Sequence, residues 1–147
     1  MRGDGAAPSA EIRPQGNYVL ARRHESLVFT SGMTPRRDGK LVASGQVSSR
    51  HPPDFYRDMV ELACANALAA ARSVIQDPER IAAVLSLTVF IAAADDFEAH
   101  SRIADFASAY LHRELGQAGI GSRAAIGVAT LPGNACVEIQ LVAVVEK

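Results

Sequence analysis

The chain has no tryptophan, few aromatic residues (5%) and only two cysteines. Cys64 and Cys136 lie far apart and form no CxxC pair, which argues against a disulfide framework and a structural zinc site. A reducing, cytoplasmic setting is the expectation. His24, His51, His100 and His112 supply no HxH, HExxH or i,i+4 pair, so no metal site is expected. Neither charge dominates: fifteen basic residues stand against sixteen acidic ones. That balance lacks the basic stripe a phosphate backbone demands, and nucleic acid is not expected as a partner. Long hydrophobic runs are also missing. The longest, Ile81 to Ala94, is too short and too rich in Ala, Ser and Thr to cross a bilayer core of about 30 Å, so no membrane partner is expected. Met1 to Gly16 lacks the apolar core of a signal peptide. No GxSxG elbow, Walker loop or GxGxxG run is present, which removes the readily recognised hydrolase, phosphate-loop and dinucleotide enzymes. Serines and Cys136 offer nucleophiles, but no pattern supplies a base.

What is there fits one globular domain: 147 residues, 48% apolar and 21% charged. We read residues 1–16 as a flexible leader and 17–147 as the domain. Tyr18–Ala21 and Leu27–Thr30 are strand-like runs separated by the polar Arg22–Ser26, which predicts a hairpin. A turn at Asp38-Gly39-Lys40 leads to a brief strand around Leu41-Val42. Pro52-Pro53-Asp54 predicts a helix start with Asp54 as cap, and Gln76-Asp77-Pro78 its end; the alanine-rich face between them predicts close packing on a sheet. From Val84 to Ile91 the chain alternates, with Leu85, Leu87, Val89 and Ile91 on one face. Asp95-Asp96 is expected to cap a second helix that carries Ile103, Phe106, Tyr110 and Leu111. Strands around Arg123–Ala129 and Cys136–Val145, joined by Leu131-Pro132-Gly133-Asn134, read as a second hairpin.

This order predicts an α+β domain: one mixed β-sheet with two helices packed on one face. Two helices cover only that face. The other carries Phe90, Val142 and Val144 beside Ser86, Thr88, Glu138 and Gln140, so a homo-oligomer packed through it is expected, with a site between subunits. Two charges stand out. Arg123 opens an apolar strand, where a guanidinium needs a carboxylate partner, and Glu138 faces it across the expected hairpin. Either the two form a structural salt bridge, or the arginine is an anchor for an acidic ligand. Asp105 and His100, on the second helix, could reach a cleft, but solvated helix positions are the better reading.

Asn17-Tyr18, the run ending Phe29-Thr30-Ser31-Gly32, the motif Ser122-Arg123-Ala124-Ala125-Ile126-Gly127-Val128, Leu131-Pro132 and Val137-Glu138-Ile139 together resemble the RidA (YjgF/UK114) family over about residues 17 to 146. Gly127 and the extended segments before Arg123 are similar to a longer-chain subgroup. The resemblance implies a chorismate-mutase-like fold, a homotrimer with clefts between subunits, and no cofactor. It implies an imine deaminase in which Arg123 clamps the carboxylate of a 2-imino or 2-enamino acid, and water attacks to release ammonia and a 2-oxo acid. Glu138 then handles the water, Tyr18, Ser31, Gly32 and Met33 line the pocket, and backbone groups at Ala124 and Ala125 orient the imine. Met33 stands where many members carry glutamine, and Ala125 where several deaminases carry cysteine. These departures favour an alternative, a protein that binds a small carboxylate without turnover. The ribonuclease label attached to the family is opposed by the charge balance.

Overall fold

The computed structural model describes residues 12–147. In chain order its elements are β1 (Ala21–His24), β2 (Leu27–Thr30), β3 (Arg36–Arg37), β4 (Lys40–Leu41), α1 (Arg57–Arg72), β5 (Arg80–Ala92), α2 (His100–Leu115), β6 (Ser122–Val128) and β7 (Val137–Glu146). One five-stranded sheet runs β1-β2-β7-β5-β6, and β3 with β4 makes a separate ribbon. Only β5 and β6 pair in parallel, so the sheet is mixed, as expected. Most of the expected leader, residues 1–11, lies outside the described residues. Ile12 packs against the core.

The second hairpin does not form. β6 follows β5 through α2, and a helical crossover returns a strand parallel to its predecessor. β6 therefore takes the edge beside β5, while β7 pairs with β5 from the other side, from Arg80↔Glu146 to Ile91↔Val137. The turn at Pro132–Asn134 joins strands that are not neighbours.

Local boundaries also move. Arg22, Arg23 and His24 belong to β1, and the turn is Glu25-Ser26, with Glu25 at φ 52°. Asp54 caps nothing: it sits in a 3-10 turn at Pro53–Tyr56 and pairs with Arg57 at 3.3 Å and Arg102 at 3.9 Å. α1 ends at Arg72, ahead of the expected stop, and α2 begins after Ala99 with no side-chain cap, so Asp95-Asp96 lie before it.

β5 carries register shifts at Ile81/Ala83 and Val84/Ser86. Each bulge resets the alternation, so Ile81, Val84, Leu87, Val89 and Ile91 face the helices while Leu85, expected among them, is 44% exposed. β7 alternates cleanly, with Val137, Ile139, Leu141, Ala143 and Val145 buried. Ala63, Ala67, Ala70 and Ala71 are fully buried and let α1 lie close to the sheet. Asn66, buried on α1 like the polar Glu61, donates from Nδ2 to the carbonyls of Thr34 (3.1 Å) and Arg36 (2.9 Å), tying down the loop after β2. No helix among the described residues covers the opposite sheet face, and Phe29 and Ile126 are 47% and 40% exposed there. No helix among the described residues is long and apolar enough to cross a membrane.

Candidate functional site

Arg123 lies on edge strand β6, level with the buried Leu87, so its side chain leaves on the helix side. It runs to α2. Nη1 donates to Asp105 Oδ1 at 2.8 Å and Ser108 Oγ at 3.0 Å; Nη2 donates to Ser101 Oγ at 2.8 Å and the Ser101 carbonyl at 3.4 Å. The arginine side chain is 23% exposed and the Asp105 side chain 59%. Asp105, whose better sequence reading is a solvated helix position, is thus the partner of Arg123. The sequence signals Ser101, Asp105 and Ser108 as a set only through their spacing i, i+4, i+7, which places three oxygen acceptors on one stripe of a helix.

Glu138 leaves β7 on the other face. It pairs with Phe90, three residues along β5 from the level of Arg123, and β5 lies between their strands. The expected Arg123–Glu138 contact is therefore impossible within one chain. Instead the Glu138 carboxylate rests against Gly32: a side chain at position 32 would lie 2.6 Å from its Cδ. The absence of a Cβ at Gly32 is what makes room. Glu138 is half-buried, has no hydrogen-bond or ion-pair partner among the described residues, and desolvation raises its pKa above the ordinary carboxylate value.

The loop around Gly32 is well anchored. Met33 exchanges backbone hydrogen bonds with Ile139, at 2.7 and 2.8 Å. Ser31 donates from its amide to the Leu20 carbonyl (2.9 Å) and from Oγ to the Val19 carbonyl (2.6 Å), which brings the segment carrying Tyr18 alongside. Tyr18, Gly32, Met33, Arg36 and Asn66 line a cleft here. Met33 is 7% exposed, so its side chain forms the cleft floor as part of the core and is not a free rim group. Ala124 is exposed on the helix-free face, while Ala125 packs against the core on the helix side. The structure thus holds two separate groups: Tyr18, Ser31, Gly32, Met33 and Glu138 around one loop, and Arg123 with Ala125 at the far edge strand.

His100 packs beside Gly127, where a side chain would meet its Nε2 at 2.6 Å. Cys136 is buried against Met59 (Sγ to Sδ, 3.7 Å) and burial pushes its pKa up to about 11, which removes it as a ready nucleophile. No cluster of three metal-ligating side chains occurs among the described residues.

The sheet order, the two helices on one face and the arginine of the edge strand define a RidA-like α+β domain. The chain belongs to the Endoribonuclease L-PSP family, the RidA/YjgF family anticipated from sequence, whose model matches residues 8–145. Among solved structures it is similar to Atu1372 from Agrobacterium tumefaciens, a protein described as of unknown function (30% identity, TM-score 0.80, covering 94% of this chain and 88% of that one). A putative endoribonuclease from Shewanella oneidensis matches at 26% identity and TM-score 0.81, over 90% of this chain and 88% of its own. TdcF from E. coli, solved with bound serine, matches at 27% identity and TM-score 0.63, over 95% and 94%.

Proposed function

We propose that the protein is an imine deaminase that hydrolyses 2-imino or 2-enamino acids in clefts between the subunits of a homotrimer. The observation that carries this reading is Glu138, a half-buried carboxylate with no partner among the described residues, set against Gly32, which also lines the Tyr18 cleft. A desolvated carboxyl that holds its proton above the ordinary range is suited to proton transfer near neutral pH. Arg123 and Glu138 project from opposite faces of one chain. A cleft uniting them must draw Arg123 from one subunit and Glu138 from the next, and the apolar helix-free face gives subunits a surface to share. The serine-bound TdcF supports a small ligand carrying a carboxylate.

In this reading Arg123 binds the substrate carboxylate. Water adds to the C=N carbon, its oxygen forming the new C–O bond, and Glu138 delivers a proton to the nitrogen. Glu138 takes back the proton that the added water sheds, giving a neutral carbinolamine; it then protonates the amino nitrogen as the C–N bond breaks, and the hydroxyl proton returns to Glu138 as ammonia and the 2-oxo acid leave. Water is the only co-reactant. The test is ammonia release from 2-imino acids generated in situ by an amino-acid oxidase. Wild type should exceed buffer, and kcat/KM should fall as pH rises through the raised pKa of Glu138, above 4.5. Glu138→Gln should lose about 10²–10⁴-fold of the rate along with that pH limb. Wild-type release equal to buffer contradicts the proposal.

A second reading, carboxylate binding without turnover, is favoured by one feature. Met33 and Ala125 put apolar groups at both halves of the site. Ligand-induced thermal stabilisation that needs Arg123, with no product formed, would select it.

A further inference from the structure

Arg123 is proposed above as the anchor of a substrate carboxylate, yet within the chain it already holds one. Asp105 Oδ1 sits on Nη1 at 2.8 Å, with Ser108 Oγ on the same nitrogen, and Ser101 takes Nη2 through its hydroxyl and its carbonyl. Every Nη hydrogen is engaged, and only the Nε–H remains. A two-pronged grip on an incoming carboxylate needs a pair of adjacent N–H groups, so the substrate has to displace something. The partners differ in how firmly they are placed. Ser101 and Ser108 are short neutral side chains close to the α2 backbone. Asp105 is the anionic one, its side chain 59% exposed, and Arg123 is its one hydrogen-bond and ion-pair partner among the described residues.

We infer that Asp105 is an internal competitor for the substrate: its carboxylate occupies Arg123 in the empty protein and yields to the ligand carboxylate, while Ser101 and Ser108 keep the guanidinium aimed throughout. This inference rests on the anchoring role of Arg123. Its physical content is an exchange of one ion pair for another. Because Asp105 is well exposed, it returns to water at little cost, and the exchange is nearly balanced. A ligand lacking a carboxylate has nothing to offer Arg123 that Asp105 does not supply better. Asp105 thereby acts as a specificity-determining residue, admitting anions and leaving neutral analogues outside.

The two sets of α2 residues then carry opposite signs. Removing the competitor should tighten binding, and removing the supports should loosen it. The probe is 2-oxobutanoate, titrated calorimetrically into wild type, Asp105→Asn, the double variant Ser101→Ala/Ser108→Ala, and Arg123→Ala, each checked for native circular dichroism. Asp105→Asn should bind about 1.5- to 5-fold tighter than wild type, the range expected from deleting an exposed ion pair. Asp105→Glu, which restores the charge, should bind more weakly than Asp105→Asn. The serine double variant should bind more weakly than wild type, and Arg123→Ala should not bind. With turnover measured, Asp105→Asn should lower KM by the same factor by which it tightens binding. Arg123-dependent binding that is equal or weaker in Asp105→Asn overturns the competitor role alone, leaving Asp105 as a support. Absence of Arg123-dependent binding in both wild type and Asp105→Asn overturns the anchor, and the competitor falls with it.

Discussion

At the scale of single residues, two charged groups and how they are housed matter most. Glu138 owes its raised pKa to burial, and its burial to the missing side chain at Gly32. Gly32→Ala therefore has a particular expected outcome. The new methyl meets the flexible end of Glu138 and not backbone, so the carboxylate should swing out and the fold should survive. We expect deaminase activity to drop at least tenfold while the melting temperature stays within a few degrees of wild type; unaltered activity would show that the position of Glu138 is immaterial. The residue types at this site were legible in the sequence because Ser31-Gly32, Arg123 and Glu138 stand in motifs. Their partners were not. Periodicity says that Asp105 lies on a helix surface, but only the crossover that carries β6 beneath α2 puts Arg123 within reach of it. Likewise, Met33 reads as a loop residue, and only its backbone pairing with Ile139 makes it core.

Among the elements, those with strong alternation were readable and those whose path depends on a distant partner were not. β7 matches its pattern residue for residue. β5 follows until its bulges push Leu85 outward. The sequence of β6 and β7 reads as a hairpin because a short turn ordinarily joins neighbouring strands, whereas here β5 lies between them. β1 is an edge strand rich in arginine, which masks it as a turn, and its attachment is partly ionic. Arg23 Nη1 donates to Glu79 Oε1 at 2.7 Å and Nη2 to Oε2, fastening β1 to the segment that enters β5. The hydrogen bonds from Arg23 hold the Glu79 carboxyl down at about 2. A depressed folded-state pKa means that the pair stabilises fully above the ordinary carboxylate range and loses its effect as pH falls toward about 2. Glu79→Gln should thus lower the melting temperature at pH 7, and the gap from wild type should close as the pH falls toward 2. A gap that persists at low pH would mean that the pair's charge is not its contribution.

For the whole molecule, the helix-free sheet face decides whether the proposed shared site can form. Phe29 and Ile126 on that face are too exposed for a comfortable monomer, and the two halves of the proposed site cannot meet inside one chain. Light scattering coupled to size exclusion should give three times the chain mass. Phe29→Asp should yield a folded monomer that has lost deaminase activity, since Phe29 is itself half-exposed and its replacement leaves the core intact; a monomeric wild type with full activity would refute the shared cleft. The most direct measurement is ammonia release from a 2-imino acid by wild type and Arg123→Ala side by side. Loss of a charge-assisted anchor should lower kcat/KM by about ten- to a hundredfold, with the variant still folded. Equal rates for the two proteins would contradict the account at its root.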